Sequence, residues 1–338
     1  MPARPFPRRA VSVALAIVAL ALGSVPSAAQ SEADEAGGLV GLTLPVGARA
    51  VGQGRAVVAA AGELQALPYN PAVVVGVERG GLTFSRFEAA EAAELSSNYL
   101  AGAWVSTFGT LAAQVVLHDF GEISVTDDSP ESIGSIDVKE WVVGLTYGNR
   151  WREQLAYGAT AKLYTSDLGE TEGSAAAFDV GLVWSPRETL PLDIAVSLRN
   201  LGPDLEYDVV DEARQGEDSS VRLPSRVRVG IAFRPDRFLG LSEAYAVTLY
   251  GDTESDLEQL STTNLHGGVS VLFRDLVVLR GGLTLADNPF VEDGDGDREA
   301  GGSFGIGIRY EGFEADVARE ISVSELGDET HFAVGWRF

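Results

Sequence analysis

The chain contains no cysteine, one methionine and only three histidines among its 338 residues. The lack of cysteine excludes a disulfide framework, a thiolate metal site and a cysteine nucleophile. Basic residues are also scarce, since 25 Lys and Arg stand against 49 Asp and Glu and give a net charge of −24. Such acidity argues against a nucleic acid partner bound through a basic face. With 45% apolar and 22% charged residues, the chain is nonetheless too hydrophobic for a disordered acidic protein.

Long apolar runs are absent after the first thirty residues. Arg8 and Arg9 precede an apolar stretch from Val11 to Leu22, and small residues surround a possible cut after Ala29. This order predicts a secretory signal peptide over residues 1–29. The alternative is an uncleaved membrane anchor, which would need about 20 apolar residues to span the bilayer. No later stretch is apolar for long enough, so a membrane role would have to use strands.

The rest of the chain shows a repeated period of two. In Glu329–Phe338, the even-numbered residues after Thr330 are all apolar or aromatic, whereas the odd-numbered residues are small, polar or charged. This alternation predicts a strand with different surroundings on its two faces. A polar face that carries glycines and both signs of charge is typical of a barrel lumen. Fourteen such strands are predicted, at residues 81–88, 99–107, 110–119, 138–147, 154–165, 175–184, 190–200, 226–235, 243–251, 263–273, 276–285, 301–311, 312–320 and 329–338.

The connections between the predicted strands support a closed barrel. Long and short connections alternate, and the long set holds 30 acidic and 3 basic residues, whereas the short set holds 5 of each. We therefore predict an all-β fold, a transmembrane antiparallel up-and-down barrel of 14 strands over residues 81–338, with one strongly negative rim. A soluble sandwich or propeller also has many short strands. The alternative function is accordingly a secreted soluble β-rich binding protein with no transport role.

Residues 30–80 differ from the rest, because they are rich in alanine and glycine and lack strand alternation. We predict a leader followed by a hatch or plug inside the barrel. The segments Gly47–Ala56 and Tyr69–Ala72 resemble the N-terminal signature of the PorV/PorQ family of outer-membrane proteins, relatives of the FadL-like fatty-acid channels. Further similar segments follow in family-like order, at residues 157–163, 178–182, 196–202, 223–230, 279–282 and 331–338.

The resemblance implies a FadL-like barrel with one of two functions. FadL-like members transport hydrophobic molecules through a lumen gated by a hatch, and PorV-like members hold secreted cargo in type IX protein secretion. Implied partners are outer-membrane lipid, the barrel-assembly machinery that reads a terminal aromatic such as Phe338, and either secreted cargo proteins or hydrophobic small molecules. The implied location is the outer membrane of a diderm bacterium.

Candidate site residues fall into three groups. The hatch residues are Arg49, Asn70 and Pro71, of which the last two have turn chemistry. Inward-facing charges would form either a selective constriction or ion pairs that brace the plug, and they are Asp179, Arg226, Arg228, Arg280, Glu314 and Asp316. An aromatic girdle is predicted at Trp184, Tyr245, Tyr250, Tyr310, Trp336 and Phe338.

The sequence offers no catalytic, cofactor-binding or metal-ligating set. His118, His266 and His331 lie on three predicted strands without the spacing of a catalytic or metal motif. Asp293–Asp297 resembles the start of a calcium loop, but the later positions depart from that pattern, and a solvated acidic loop is the alternative. We therefore predict that the protein is not an enzyme and uses no cofactor.

Overall fold

The computed structural model describes residues 39–89, 95–126, 132–169, 171–186, 190–207, 220–235, 242, 244–257, 260, 263–287, 298–321 and 328–338. The predicted signal peptide and the Asp293–Asp297 loop lie outside these residues. No helix within the described ranges is long and apolar enough to cross a membrane.

The described residues form sixteen strands that are joined in one antiparallel sheet. Their bounds are β1 Gly80–Ala89, β2 Ser96–Ser106, β3 Gly109–Thr126, β4 Ser132–Trp151, β5 Leu155–Asp167, β6 Glu172–Trp184, β7 Leu192–Leu201, β8 Leu205–Tyr207, β9 Ser220–Val221, β10 Arg226–Phe233, β11 Tyr245–Asp256, β12 Thr263–Phe273, β13 Val277–Asp287, β14 Arg298–Tyr310, β15 Phe313–Ile321 and β16 Glu329–Arg337. Strand β1 pairs with β16, and β5 pairs with β6, so fourteen strands close into a barrel without an edge. Closure satisfies the backbone of a sheet in lipid and excludes the sandwich and the propeller.

The fourteen predicted strands are confirmed, but several are longer than predicted. Strands β3 and β4 continue past a register shift between Asp119 and Glu122, into residues that the sequence suggested were loop. Strands β8 and β9 were not predicted. They follow β7 and precede β10 in the chain and pair with each other. The β7–β10 pairing ends at Arg199 and Arg226, and the β8–β9 pairing continues beyond it with Leu205 opposite Val221.

The two ends of the barrel differ in their connections. One end, which we call the turn end, carries the connections at 107–108, 152–154, 185–191, 234–244, 274–276 and 311–312. The other, which we call the loop end, carries 90–95, 127–131, 168–171, 202–225, 257–262, 288–297 and 322–328. The predicted alternation of lengths is wrong in detail, since 168–171 is short and 234–244 is long. Strands extend into several predicted loops at the loop end, whereas β10 and β11 are each two residues shorter at the turn end than predicted.

The outer face of the barrel is apolar. Along β6, exposed and buried residues alternate without a break. The exposed apolar side chains include Leu100, Leu145, Val180, Leu283, Ile306 and Val334. Aromatic residues gather on this face toward the turn end, at Trp104, Trp151, Trp184, Tyr245, Tyr310, Phe313 and Trp336. An apolar wall with an aromatic border is what a membrane-spanning barrel requires. The prediction for Tyr250 is wrong, because its ring packs against buried inward-facing residues while Leu249 faces outward.

Residues 39–79, which we call the lumenal segment, lie against the inner wall. The segment contains a 3-10 turn at Val40–Leu42, helix α1 at Ala48–Gly52, and 3-10 turns at Leu64–Ala66 and Pro71–Gly76. Its side chains are mostly buried, and Val51, Val58, Leu67, Val73 and Val74 are fully so. Its small alanine and valine side chains supply much of the apolar core inside the ring of strands.

Candidate functional site

Glycines of the inner wall allow the backbone of the lumenal segment to approach closely. A Cβ on Gly268 or Gly282 would overlap the backbone at Gln53 and Gly54. On the opposite side of the lumen, a Cβ on Gly158 would lie 2.5 Å from the carbonyl oxygen of Pro71. Contacts shorter than about 3.0 Å cannot be accommodated without a backbone shift. The wall is therefore shaped to fit this segment.

Asn70 fixes the turn before the last 3-10 helix of the segment. Its side-chain oxygen accepts a hydrogen bond from the amide of Ala72 at 2.9 Å, and its side-chain nitrogen donates to the carbonyl oxygen of Val58 at 2.7 Å. The side chain is fully buried. Pro71 follows at the first position of the 3-10 helix, where no amide hydrogen is needed. These contacts tie two parts of the lumenal segment together.

A cluster of charges near the turn end joins the segment to four strands. Arg49 of α1 donates from Nη2 to Glu314 at 2.7 Å and to Asp316 at 2.8 Å, and it also pairs with Glu63. Arg280 of β13 donates to Asp316 at 2.7 Å. We call this set the turn-end cluster, and it comprises Arg49, Glu63, Arg280, Arg309, Glu314, Asp316 and Arg337.

Glu63 connects the turn-end cluster to the last strands of the barrel. Beyond Arg49, it accepts hydrogen bonds from Arg309 at 3.1 Å and Arg337 at 3.0 Å. Burial alone would raise the pKa of Glu63, but Arg49, Arg337 and Arg309 together hold this pKa well below its usual range. Burial likewise opposes the charge of Arg49, yet Glu63, Asp316 and Glu314 raise the pKa of Arg49 well above its ordinary value. Both groups are therefore ionised at neutral pH.

A second set of charges lies nearer the loop end. Arg228 donates to Glu254 at 2.8 Å and to the carbonyl oxygen of Arg55 at 2.8 Å, and Arg199 donates to Glu254 at 2.5 Å. Asp252 accepts from the amides of Val57 at 2.7 Å and Val58 at 2.9 Å. We call Arg199, Arg228, Asp252 and Glu254 the loop-end cluster. Both arginines also lie over the ring of Tyr69, at 5.7 Å and 5.1 Å from its centroid.

The predicted inward charges lie in separate groups. Arg280, Glu314 and Asp316 meet at Arg49 in the turn-end cluster, and Arg228 belongs to the loop-end cluster. Asp179 pairs with Lys162 at 2.8 Å and accepts from the amide of Asn200 at 2.8 Å. Arg226 lies at the edge of the wall, 3.9 Å from Asp256. The charges form ion pairs with one another and with the lumenal segment.

Several site residues were missed by the sequence reasoning. Glu63 is the only acidic residue between residues 39 and 77. A single acid in such an apolar segment was the sequence feature that could have marked it as a site residue. Asp252 and Glu254 alternate in the sequence as inward-facing residues should, but the predicted strand ended at residue 251. Arg199 lies on a predicted strand, but its partner Glu254 is 55 residues away in the sequence, so no local signal marks the pair.

Two cavities lie on either side of the segment. The larger, of about 250 Å³, opens at the turn end and is lined by polar side chains that include Arg49, Gln65, Arg79, Glu314 and Arg337. The smaller, of about 40 Å³, lies toward the loop end, between Leu42, Leu44 and Val46 of the segment and Lys162 and Arg199 of the wall. The segment separates these two cavities.

The described residues form a closed antiparallel barrel with a filled lumen, and comparison with solved structures finds the same fold in FadL-like barrels. The chain is similar to the Pseudomonas putida toluene transporter TodX, with a TM-score of 0.51 and 10% identity over 82% of this chain and 94% of that one. It is similar to the monoaromatic hydrocarbon channel CymD, with a TM-score of 0.53 and 12% identity over 87% and 97%. A Pseudomonas aeruginosa FadL homologue gives a TM-score of 0.52 and 10% identity over 87% and 98%.

These structures are transporters and channels rather than enzymes, and at such low identity the likeness concerns the fold. No protein-family model matches the chain. No curated protein matches it either. The specific resemblance to the PorV/PorQ family therefore stays a prediction.

Proposed function

We propose that the protein carries hydrophobic small molecules across the outer membrane and that the lumenal segment is its hatch. The observation that carries this proposal is a closed barrel whose lumen holds a segment fixed by hydrogen bonds and ion pairs. Polar contacts of this kind can be exchanged for water when the segment moves. The names of TodX and CymD, a toluene transporter and a monoaromatic hydrocarbon channel, support a hydrophobic cargo.

Transport through the lumen would require the lumenal segment to move. The cavity toward the loop end measures about 40 Å³, which suffices for very few water molecules. Sites for small organic ligands typically measure roughly 300–1,000 Å³. A hydrocarbon would therefore have to displace the segment from the wall on its way through the barrel.

The proposal includes the topology of the mature chain. We infer that cleavage near Ala29 leaves residues 30–80 as leader and hatch and residues 81–338 as the barrel in the outer membrane. The turn end, which holds the C-terminal Phe338, would then face the periplasm, and the acidic loop end would face the outside.

A reversible cross-link between the segment and the wall tests the hatch. A Cβ built on Gly52 lies 3.3 Å from the Cβ of Ala318 on β15, close to the roughly 3.5–4.5 Å found in disulfides. Because the chain has no cysteine, the double variant G52C/A318C contains a single possible disulfide. We expect uptake of radiolabelled toluene by cells lacking other channels to stop under oxidation and to recover with reductant.

The single variants G52C and A318C serve as matched controls, because they carry the same substitutions without a cross-link. Their uptake should not respond to oxidation. Equal uptake by oxidised and reduced double variant, with the disulfide shown by mass spectrometry, would contradict a moving hatch. Uptake no greater than that of cells without the protein would contradict transport itself.

Secretion-associated cargo handling is the second candidate, and a specific observation favours it. Both segments that carry the PorV/PorQ resemblance, Gly47–Ala56 and Tyr69–Ala72, lie in the part of the chain that fills the lumen. A cargo holder needs no open path. It predicts that secreted proteins copurify with the barrel from native membranes and that the oxidised G52C/A318C variant retains them.

A further inference from the structure

Three potential metal ligands gather on the inner face of β15 and β16, outside the two charge clusters as defined above. Glu320 and Glu329 stand directly opposite each other in the strand register. His331 follows Glu329 by two residues and therefore projects from the same face of β16. Two ligands at positions i and i+2 of one strand and a third on its neighbour can converge on one point, because side chains on one face of adjacent strands are neighbours.

The donor atoms of these three residues are close together and buried. One ligand atom from each residue lies within 4.8 Å of the other two. Nε2 of His331 is 3.1 Å from a carboxylate oxygen of Glu329. His331 is fully buried, and Glu320 and Glu329 are 8% and 9% exposed. Residues this close to one another need only small side-chain adjustments to bind one ion.

The described residues neutralise this group of donors only in part. Arg55 of the lumenal segment is the cation that pairs with Glu320, at 2.9 Å, and Glu329 pairs only with His331 among the described residues. Nδ1 of His331 is buried and has no hydrogen-bond partner within the part of the chain that the structure describes. Phe87 packs on the imidazole with ring centroids 4.6 Å apart and fixes its position. Two buried carboxylates and an imidazole with an unused nitrogen favour a bound cation.

We propose that Glu320, Glu329 and His331 form a binding site for a divalent transition-metal ion, with Zn²⁺ as the representative. Imidazole nitrogen with carboxylate oxygen is a donor set that suits zinc, and three protein ligands leave a fourth position for water. The hard cations Ca²⁺ and Mg²⁺ bind through oxygen and would not use the histidine. The site lies near the loop end and does not depend on what the barrel carries.

Arg55 couples this site to the lumenal segment. A metal ion bound by Glu320 competes with the guanidinium of Arg55 for the same carboxylate. Binding of the ion and docking of Arg55 therefore oppose each other, and each must weaken the other by the same factor. Replacement of Arg55 by glutamine is expected to tighten metal binding, whereas loss of a ligand is expected to weaken it.

The test is isothermal titration of metal-free, detergent-purified full barrel with ZnCl₂. We expect one Zn²⁺ per chain for the wild type, at least tenfold weaker binding for H331Q and E329Q, and tighter binding for R55Q. The matched control is H118Q, which removes another buried, inward-facing histidine on β3 and should bind as the wild type does. Heat-modifiable migration on gels establishes that each variant is a folded barrel.

The opposite results would overturn the proposal. Wild-type protein that binds no Zn²⁺, or H331Q that binds it with unchanged affinity and stoichiometry, would show that these residues do not form a zinc site. Equal binding of Ca²⁺ that is insensitive to H331Q would assign the cation to carboxylates alone. If H331Q does not fold, E320Q replaces it, and unchanged Zn²⁺ affinity in E320Q would likewise contradict the site.

Discussion

At the scale of the residue, Glu63 has three ionic partners among the described residues, as many as Arg49 of the same segment. One carboxylate pairs with Arg49 of the same segment and with Arg309 and Arg337 of the barrel. Arg49 in turn pairs with Glu314 and Asp316, and every member of the cluster except Arg280 has more than one ionic partner. Removal of one partner from such a network leaves the others incompletely neutralised. The docking of the segment should therefore be sensitive to this single side chain.

Substitution E63Q is predicted to loosen the lumenal segment without opening the barrel. The change removes charge-assisted hydrogen bonds from three arginines, and we expect local opening of the segment to become easier by about 2 kcal/mol. Amide hydrogen exchange should accelerate around α1, and the strand amides should keep their protection. The matched control is E78Q, in the same segment, because Glu78 forms no ion pair with the described residues. Equal exchange in both variants would contradict a special role of Glu63.

The lowered pKa of Glu63 gives the docking of the segment a pH dependence. A carboxyl whose pKa is lower in the docked state stabilises that state fully above its free value near 4.3, and loses this contribution as the pH falls through the docked value. Around α1, hydrogen exchange corrected for its chemical rate should therefore lose protection as the pH falls below about 4. In E63Q this loss should be smaller. An equal loss of protection around α1 in E63Q and in the wild type would contradict the assignment.

At the scale of the element, the strands could be predicted from sequence because the side chains of each strand alternate between two different environments. Lipid outside and a packed polar lumen inside impose a period of two on every strand, and β6 keeps this pattern from Glu172 to Trp184. Turn residues then separate one strand from the next. The fourteen strands follow from this local pattern, and their even number favours a closed barrel.

The site could be predicted only in part, because its contacts are not local. Arg49 and Asp316 are 267 residues apart, and the sequence around one residue contains no signal that it pairs with the other. Tyr250 shows the same limit on a single strand, since an aromatic residue near a strand end suits either the lipid border or the packed lumen. Strands β8 and β9 were missed because they have only three and two residues, too few to show a period of two.

Two adjacent glycines of β12 test how tightly the lumenal segment fits the wall. A Cβ on Gly268 would overlap the carbonyl oxygen of Gln53, whereas a Cβ on Gly267 has nothing within 4 Å. We predict that G268A displaces the segment and accelerates its hydrogen exchange at least tenfold, and that G267A leaves this exchange unchanged. Both variants add one methyl group to the same strand, so the strand's own propensity is matched. Equal exchange in the two variants would show that the segment is loosely held.

At the scale of the whole molecule, the barrel is asymmetric along its axis. The turn end combines an aromatic border with a polar cavity of about 250 Å³. The loop end has exposed acids on its described residues, such as Asp137, Asp167 and Glu206. By sequence, the predicted long connections that join this end hold 30 acidic and 3 basic residues. A molecule that enters from the loop end must therefore first cross a negative field.

This field predicts a salt dependence that distinguishes neutral from anionic cargo. The screening length falls from about 30 Å at 0.01 M salt to about 3 Å at 1 M, so added salt removes repulsion between the rim and an anion. Uptake of a carboxylated aromatic such as benzoate should rise at least about threefold over this range. Uptake of toluene, which has a similar size and no charge, should not change. Both rates are measured in proteoliposomes with one orientation of the barrel, and benzoate uptake that does not rise with salt would contradict a negative entrance.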